Sequence, residues 1–313
     1  MILVCGEALI DLVPLPDGPE PAYVARGGGS LFNVAMGLGR LEVPVGFFGR
    51  LSRDPFGRMM RRRLEDDGVD CSLVLEGDEP STLAIVHLEP GAEPLYTFHG
   101  EGTADRFIEV DDIPADLPAE VSALHLGSIS LLREPGATAF EALMRREHGR
   151  RLVSLDPNVR PGLVRDRAAY LARLEGWVSL ADLVKVSRAD LAWLYPDRAP
   201  EEAAGAWLAR GPAAVVVTRG HDGAVALAAS GRAEVAGMAV LVSDTVGAGD
   251  SFTSGLLAWL AEAGRLEREA IRGVTEDELH AALRFANTAA SITCTRPGAQ
   301  PPNRAEMRAA GLA

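Results

Sequence analysis

The run Asp244-Thr245-Val246-Gly247-Ala248-Gly249-Asp250 sets two glycines directly ahead of a carboxylate. Ser251 to Leu260 follow as small and then apolar residues, the pattern of a buried helix, and Ala239-Val240-Leu241-Val242 ahead reads as a strand. A glycine-rich turn opening a helix offers free backbone N–H groups at the positive end of the helix dipole, an arrangement that binds anions and phosphates above all. Gly247 and Gly249 would let a phosphoryl group approach the backbone closely, and Asp250 would stand beside it as a proton acceptor. Charge stabilisation next to a base is what phosphoryl transfer to an alcohol needs. The lesser alternative for a bare Gly-x-Gly-Asp is a glycine C-cap or tight turn whose aspartate caps a helix. Two rival phosphate motifs fail: Lys185, the sole lysine, follows no glycine, and Phe252 stands where a dinucleotide fingerprint needs its third glycine.

Other polar groups stand where strand-like runs end. Asp11 follows Gly6-Glu7-Ala8-Leu9-Ile10 and could be a turn residue. Asn33 could cap a helix beginning near it. Asp156-Pro157-Asn158-Val159-Arg160 closes another run, with Arg160 either a surface ion pair or a positive charge near a substrate. Lys185-Val186-Ser187-Arg188-Ala189-Asp190 and Val217-Thr218-Arg219-Gly220 close two more. The six histidines show no ligand spacing, and none is assigned to a metal.

The elements that must position these groups alternate. Ile2–Cys5, Val43–Phe48, Ala123–Leu126, Leu152–Leu155, Leu183–Val186 and Ala213–Thr218 read as buried strands. Helices are expected from Asp54-Pro55 onward and over Pro135–Glu147, Glu201–Ala209, Ala248–Ala263 and Glu276–Thr293. The expectation is a three-layer α/β/α sandwich with a mostly parallel central sheet. Two stretches, about 12–26 and 80–108, break the alternation, with extended segments Thr82–Leu88 and Pro94–Phe98 joined by Glu89-Pro90-Gly91-Ala92. They are expected to form a discontinuous small β lid on a body of residues 1–11, 27–79 and 109–313.

Composition narrows the function. The 313 residues carry a formal charge of −13, which disfavours a nucleic-acid partner or an anionic membrane surface. The basic stretch Arg58–Arg63 would be neutralised by i,i+4 pairs from Arg61, Arg62 and Arg63 to Glu65, Asp66 and Asp67. Three scattered cysteines imply neither a disulfide framework nor a zinc site. With no apolar run of membrane length and a start resembling a first strand, a soluble cytoplasmic protein is expected.

Asp244-Thr245-x-Gly247-Ala248-Gly249-Asp250 resembles the C-terminal signature of the ribokinase-like (PfkB) carbohydrate kinases, and Gly27-Gly28-Gly29-Ser30-Leu31-Phe32-Asn33-Val34-Ala35 resembles the N-terminal one. The resemblance runs from Gly6-Glu7 to Arg296-Pro297-Gly298-Ala299. It implies an ATP- and Mg²⁺-dependent sugar kinase with Asp250 as base and Gly247, Ala248 and Gly249 as the anion hole, aided by Arg160. It makes Asp11, Gly28, Gly29 and Asn33 sugar ligands, with Lys185, Thr218, Gly220 and Asn287 on the nucleotide side. Relatives carry Asn and Glu where this chain has Ser187 and Asp190, so Asp190 would reach Mg²⁺ through water. A monovalent cation such as K⁺ would lie on backbone oxygens within Asp244–Val246 and Thr293–Gly298, including Arg296. Gly6-Glu7-Ala8, Ser30-Leu31-Phe32-Asn33, His125-Leu126-Gly127-Ser128 and Asp156-Pro157-Asn158-Val159-Arg160 are most similar to the fructokinase branch, implying phosphorylation of fructose at O6. A 2-keto-3-deoxygluconate kinase is next, then a ribokinase or nucleoside kinase. A sugar- or nucleotide-sensing module without catalysis is the rival from another class. Relatives often pair through their lids, so a homodimer is expected.

Overall fold

Short Val- and Leu-rich runs, buried on both faces, zip into the main sheet of the computed structural model, which describes residues 1–15, 22–87 and 95–312. Along the chain the strands are β1 (Ile2–Cys5), β2 (Leu9–Pro14), β3 (Tyr23–Gly28), β4 (Val45–Phe48), β5 (Arg50–Ser52), β6 (Leu75–Gly77) and β7 (Leu83–His87). They continue as β8 (Leu95–His99), β9 (Ala123–Gly127), β10 (Leu152–Asp156), β11 (Leu183–Ser187), β12 (Ala214–Thr218), β13 (Ala224–Ala228) and β14 (Gly231–Val235). The helices are α1 (Ser30–Arg40), α2 (Pro55–Asp66), α3 (Gly136–Glu147), α4 (Arg167–Leu180) and α5 (Arg188–Leu194), then α6 (Pro200–Leu208), α7 (Ala248–Glu262), α8 (Arg268–Arg272), α9 (Glu276–Cys294) and α10 (Arg304–Ala309).

The main sheet runs β14-β13-β12-β11-β10-β9-β1-β4, parallel from β12 to β4 and antiparallel at the β13–β14 hairpin. One apolar cluster joins it to α1, α2, α7 and α9, and another joins its opposite face to α3, α4, α5 and α6. This is the expected three-layer sandwich. The chain leaves β1 for β4 on one side and later fills the other side through β9, so strand order reverses between β1 and β9. Open α/β sheets bind ligands at the carboxyl ends of strands beside such a reversal.

A separate four-stranded sheet, β3-β2-β7-β8, stands over those strand ends. Its first two strands reach beyond residues 12–26, where the sequence suggested this part of the lid. Leu9–Asp11 and Gly27–Gly28, which the sequence put with the body, are paired within it, because the chain turns at Gly6–Ala8 and β2 starts at once. The expected turn Glu89-Pro90-Gly91-Ala92 lies outside the described residues, as do 16–21 of the first lid excursion.

Three further expectations change. Ala239–Val242 forms no strand: the β13–β14 hairpin has already taken the sheet edge, and Leu241 is left 93% exposed on a loop. Asn33 does not cap α1, which starts from Gly29 one turn earlier. On α2 the pairs Arg61–Glu65 and Arg63–Asp67 form at 2.9 Å, while Arg62 turns to the Arg58 carbonyl. Asp54 caps that helix by accepting from Gly57 N–H at 2.7 Å. Among the described residues no helix is long and apolar enough to cross a membrane.

Candidate active site

The α7 N-terminus is held by its glycines. Gly247 takes φ +76°, and a Cβ there would stand 2.5 Å from the Ala299 Cβ. The turn bonds Ala248 N–H to the Thr245 carbonyl at 3.2 Å and Ser251 N–H to that of Gly247 at 2.8 Å. The N–H groups of Gly249 and Asp250 have no hydrogen-bond partner among the described residues. They are the free donors that a helix start offers to an anion.

Asp250 is buried in the first turn of α7, and α1 holds both of its oxygens. Ser30 Oγ donates to Oδ1 at 2.7 Å and Asn33 Nδ2 to Oδ2 at 2.8 Å. Burial pushes its carboxyl above the ordinary range, opposed by those two hydrogen bonds and the Lys185 ammonium. The group is thereby fixed in direction yet more basic than a surface aspartate.

A cleft of about 240 Å³ opens in front of Asp250, between the strand ends and the small sheet. The body contributes Glu7, Ser30, Asn33, Ser128, Asn158, Arg160 and the Thr245–Gly247 turn, and the small sheet contributes Leu9, Asp11, Tyr96 and Phe98. The structure thus brings Asp11, Gly29, Asn33, Arg160, Gly247, Gly249 and Asp250 together, as the sequence suggested. Gly28 stands directly behind: a Cβ there would come within 2.2 Å of Asp11 Oδ2. Several polar atoms in this cleft are unsatisfied. Asn33 Oδ1 is buried without a partner. The Asp11 carboxyl accepts no hydrogen bond among the described residues, and burial, with repulsion from Asp250, pushes it up to about 7 against the pull of Arg160. Arg160 ties Nη1 to Asn158 Oδ1 at 2.7 Å and to two backbone carbonyls, leaving its other guanidinium nitrogens open. Orphaned acceptors beside a free cation suit a ligand with several hydroxyls.

Glu7 is a group the sequence did not single out. It caps α1 from outside, accepting from Ser30 N–H at 3.0 Å, and also accepts from Ser130 Oγ. Burial raises its carboxyl to about 7. The signal available in the sequence was an acid directly after the glycine that ends an apolar strand.

A second cavity of about 530 Å³ lies across the α7 turn and shares Thr245 and Gly249 with the first. Thr218, Gly220, Met238, Val240, Val242, Phe252, Asn287 and Ala290 are among its walls. Asn287 donates Nδ2 to the Ala236 carbonyl at 3.0 Å, which fixes the loop on which the strand had been expected. Lys185 lines neither cavity. It is buried behind Gly249, 3.3 Å from where a Cβ would stand, and paired with Asp156 at 2.8 Å.

Asp190 also lines neither cavity. It closes a capping box at the start of α5: Ser187 Oγ accepts from Asp190 N–H at 2.9 Å and Asp190 Oδ2 from Ser187 N–H at 3.4 Å. No group of three or more His, Cys, Asp or Glu side chains among the described residues could hold a metal. Asp244 clamps the cation stretches together, accepting from Val246 N–H at 3.0 Å and Gly298 N–H at 2.7 Å. The carbonyls of Asp244, Val246 and Arg296 have no partner among the described residues, whereas those of Thr293 and Gly298 accept from Arg296 and Gln300.

The chain is similar to known proteins along nearly its whole length. Residues 1–306 match the pfkB family carbohydrate kinase model. A fructokinase of Rhizobium leguminosarum bv. trifolii is 39% identical over 280 residues, covering 89% of this chain and 85% of the relative. A fructokinase from Vibrio cholerae O395, solved with fructose, ADP and calcium ion bound, superposes with a TM-score of 0.85 at 32% identity over 98% of this chain and 97% of that one. A fructokinase from Xylella fastidiosa with bound ATP gives a TM-score of 0.88 at 27% identity, with the same coverage.

Proposed function

This chain belongs to the pfkB family and is a carbohydrate kinase, and we propose that it transfers the γ-phosphoryl group of ATP to fructose, forming fructose 6-phosphate and ADP. The observation that carries the reading is the position of Asp250, anchored on both oxygens at the one turn shared by the polar cleft and the apolar cavity. The sugar occupies the polar cleft, with hydroxyls on Asp11 and the orphaned Asn33 Oδ1, and the nucleotide occupies the cavity beyond Gly249. As the acceptor hydroxyl attacks, its proton passes to Asp250, its oxygen bonds to the γ-phosphorus, and ADP leaves with the electrons of the broken P–O bond. The N–H groups of Gly249 and Asp250 receive charge on the transferred group, and Arg160 adds a cation on the sugar side.

Mg²⁺ would be held by the nucleotide phosphates, and Asp190, which lines neither cavity, would reach it only through water. Its chemistry is to neutralise phosphate charge. The free carbonyls of Asp244, Val246 and Arg296 suit a monovalent cation such as K⁺. The small sheet serves as a lid that excludes water when both substrates are bound. Tyr23 and Val24, 48% and 37% exposed on edge strand β3, support a homodimer built lid to lid. A cytoplasmic location belongs to the same reading.

The open guanidinium edge of Arg160 would also suit an acceptor carrying a carboxylate, 2-keto-3-deoxygluconate. ADP release measured over a panel of sugars separates the two. Fructose should give the highest kcat/KM, and a higher value for 2-keto-3-deoxygluconate would replace the acceptor while leaving the kinase intact.

A further inference from the structure

We infer that Asp156 is a positioning residue for phosphoryl transfer, holding the Lys185 ammonium against the back of the anion loop so that the ion pair and Asp250 act as one electrostatic unit. This rests on Asp250 being the base and extends that reading to two buried groups that line neither cavity.

Asp156 and Lys185 are 1% and 5% exposed, Asp156 as the last residue of β10 and Lys185 in the middle of the adjacent parallel strand β11. A buried ion pair is a poor device for stability alone, because desolvating both charges offsets much of their attraction. Its placement points elsewhere. The ammonium lies 3.3 Å from the space above Gly249, and Thr253 Oγ1, one turn along α7, lies 3.4 Å from Asp156 Oδ2. The ammonium thus stands beside the anion loop, and Asp156 meets the helix one turn beyond the base. Of the three ammonium hydrogens only one has a partner among the described residues, on Asp156, so the pair leaves the cation's charge only partly matched beside the anion loop.

The surroundings need that cation. The ionisable groups around Asp250 are Glu7 after β1, Asp11 of β2, Tyr96 of β8, Asp156 and Arg160 at the end of β10, Lys185 of β11 and Asp190 of α5. With Asp250 itself, five carboxyl groups thus face two cations before any triphosphate arrives. His125 of β9 adds nothing, since burial lowers it to about 4 and keeps it neutral. Burial opposes the charge on Lys185, but Asp156, Asp250 and Asp190 more than restore it.

Lys185→Met, Asp156→Asn and the double variant test this through the pH dependence of kcat, with nucleotide and sugar KM and the thermal midpoint measured alongside. Activity is lost as pH falls through the pKa of the base. Removing Lys185 takes away a charge that lowers that pKa, so the acid limb should move up by about one pH unit, with kcat down at least about tenfold. Removing the Asp156 charge should move the limb down, and the double variant should fall between the singles with sugar KM within about twofold of the wild type. Limbs that move the same way, or stay put while the midpoint falls, would make the pair merely structural. Should Lys185→Met fail to fold, Asp156→Asn still decides: its limb must move down, and one unmoved or moved up overturns the proposal. Loss of the base itself reads out separately, as the failure of Asp250→Asn to lower kcat.

Discussion

The polar cleft encloses about 240 Å³ behind carboxylates, amides and a guanidinium, whereas the apolar cavity encloses about 530 Å³ behind Met238, Val240, Val242, Phe252 and Ala290. They meet at Thr245 and Gly249. An uncharged polyol has little to offer but hydroxyls, so its recognition falls to side chains with unfilled acceptors. A nucleotide offers a flat base and a polyanion, which apolar surface and backbone N–H groups can hold. With the sugar proposed for the cleft and the nucleotide for the cavity, sugar selectivity would be concentrated in few side chains and nucleotide binding spread over loops.

If that contrast is right, the sugar side breaks at single residues. Asp11→Ala should cost about 1.5–3 kcal/mol in sugar binding, raising sugar KM roughly 10- to 150-fold with nucleotide affinity unchanged. Asp11 accepts best when ionised and its carboxyl lies at about 7, so wild-type sugar KM should rise as pH falls below that value, and the variant should lose this dependence. Unchanged sugar KM would remove Asp11 from the site. The nucleotide side should yield less, and only to bulk. Ala290→Leu, which fills part of the apolar cavity, should raise nucleotide KM by about 5- to 30-fold and leave sugar KM alone. An equal rise in both constants would mean that the cavities are not separate.

The same contrast sets what was legible in the chain. Strand runs such as Leu152–Leu155 and the Gly-x-Gly-Asp turn are local patterns, and both stand where the sequence put them, with strand β10 one residue longer. Groups that matter through another element were not visible. Glu7 acts through the start of α1, Tyr96 and Phe98 reach the cleft only because the small sheet stands over it, and the Asp156–Lys185 pair depends on two strands becoming neighbours. The apolar run Ala239–Val242 misled for the opposite reason. Its residues suit a strand, but Val240 and Val242 line a cavity and Leu241 faces outward, so their apolarity forms a cavity wall in place of a sheet. Asp190 is a capping residue because Ser187, the last residue of β11, starts a helix of its own.

The account stands most directly on Asp250→Asn, with kcat, nucleotide Kd and thermal midpoint measured on the same preparation. Asparagine keeps the size and still accepts from Ser30 through its amide oxygen, so the fold and the anion loop should persist. It cannot take the proton of the attacking hydroxyl. Turnover should fall ~10²–10⁴-fold while nucleotide Kd and midpoint stay near wild type. Near-wild-type turnover would contradict the account, leaving Asp250 as a residue that only anchors α1 against α7.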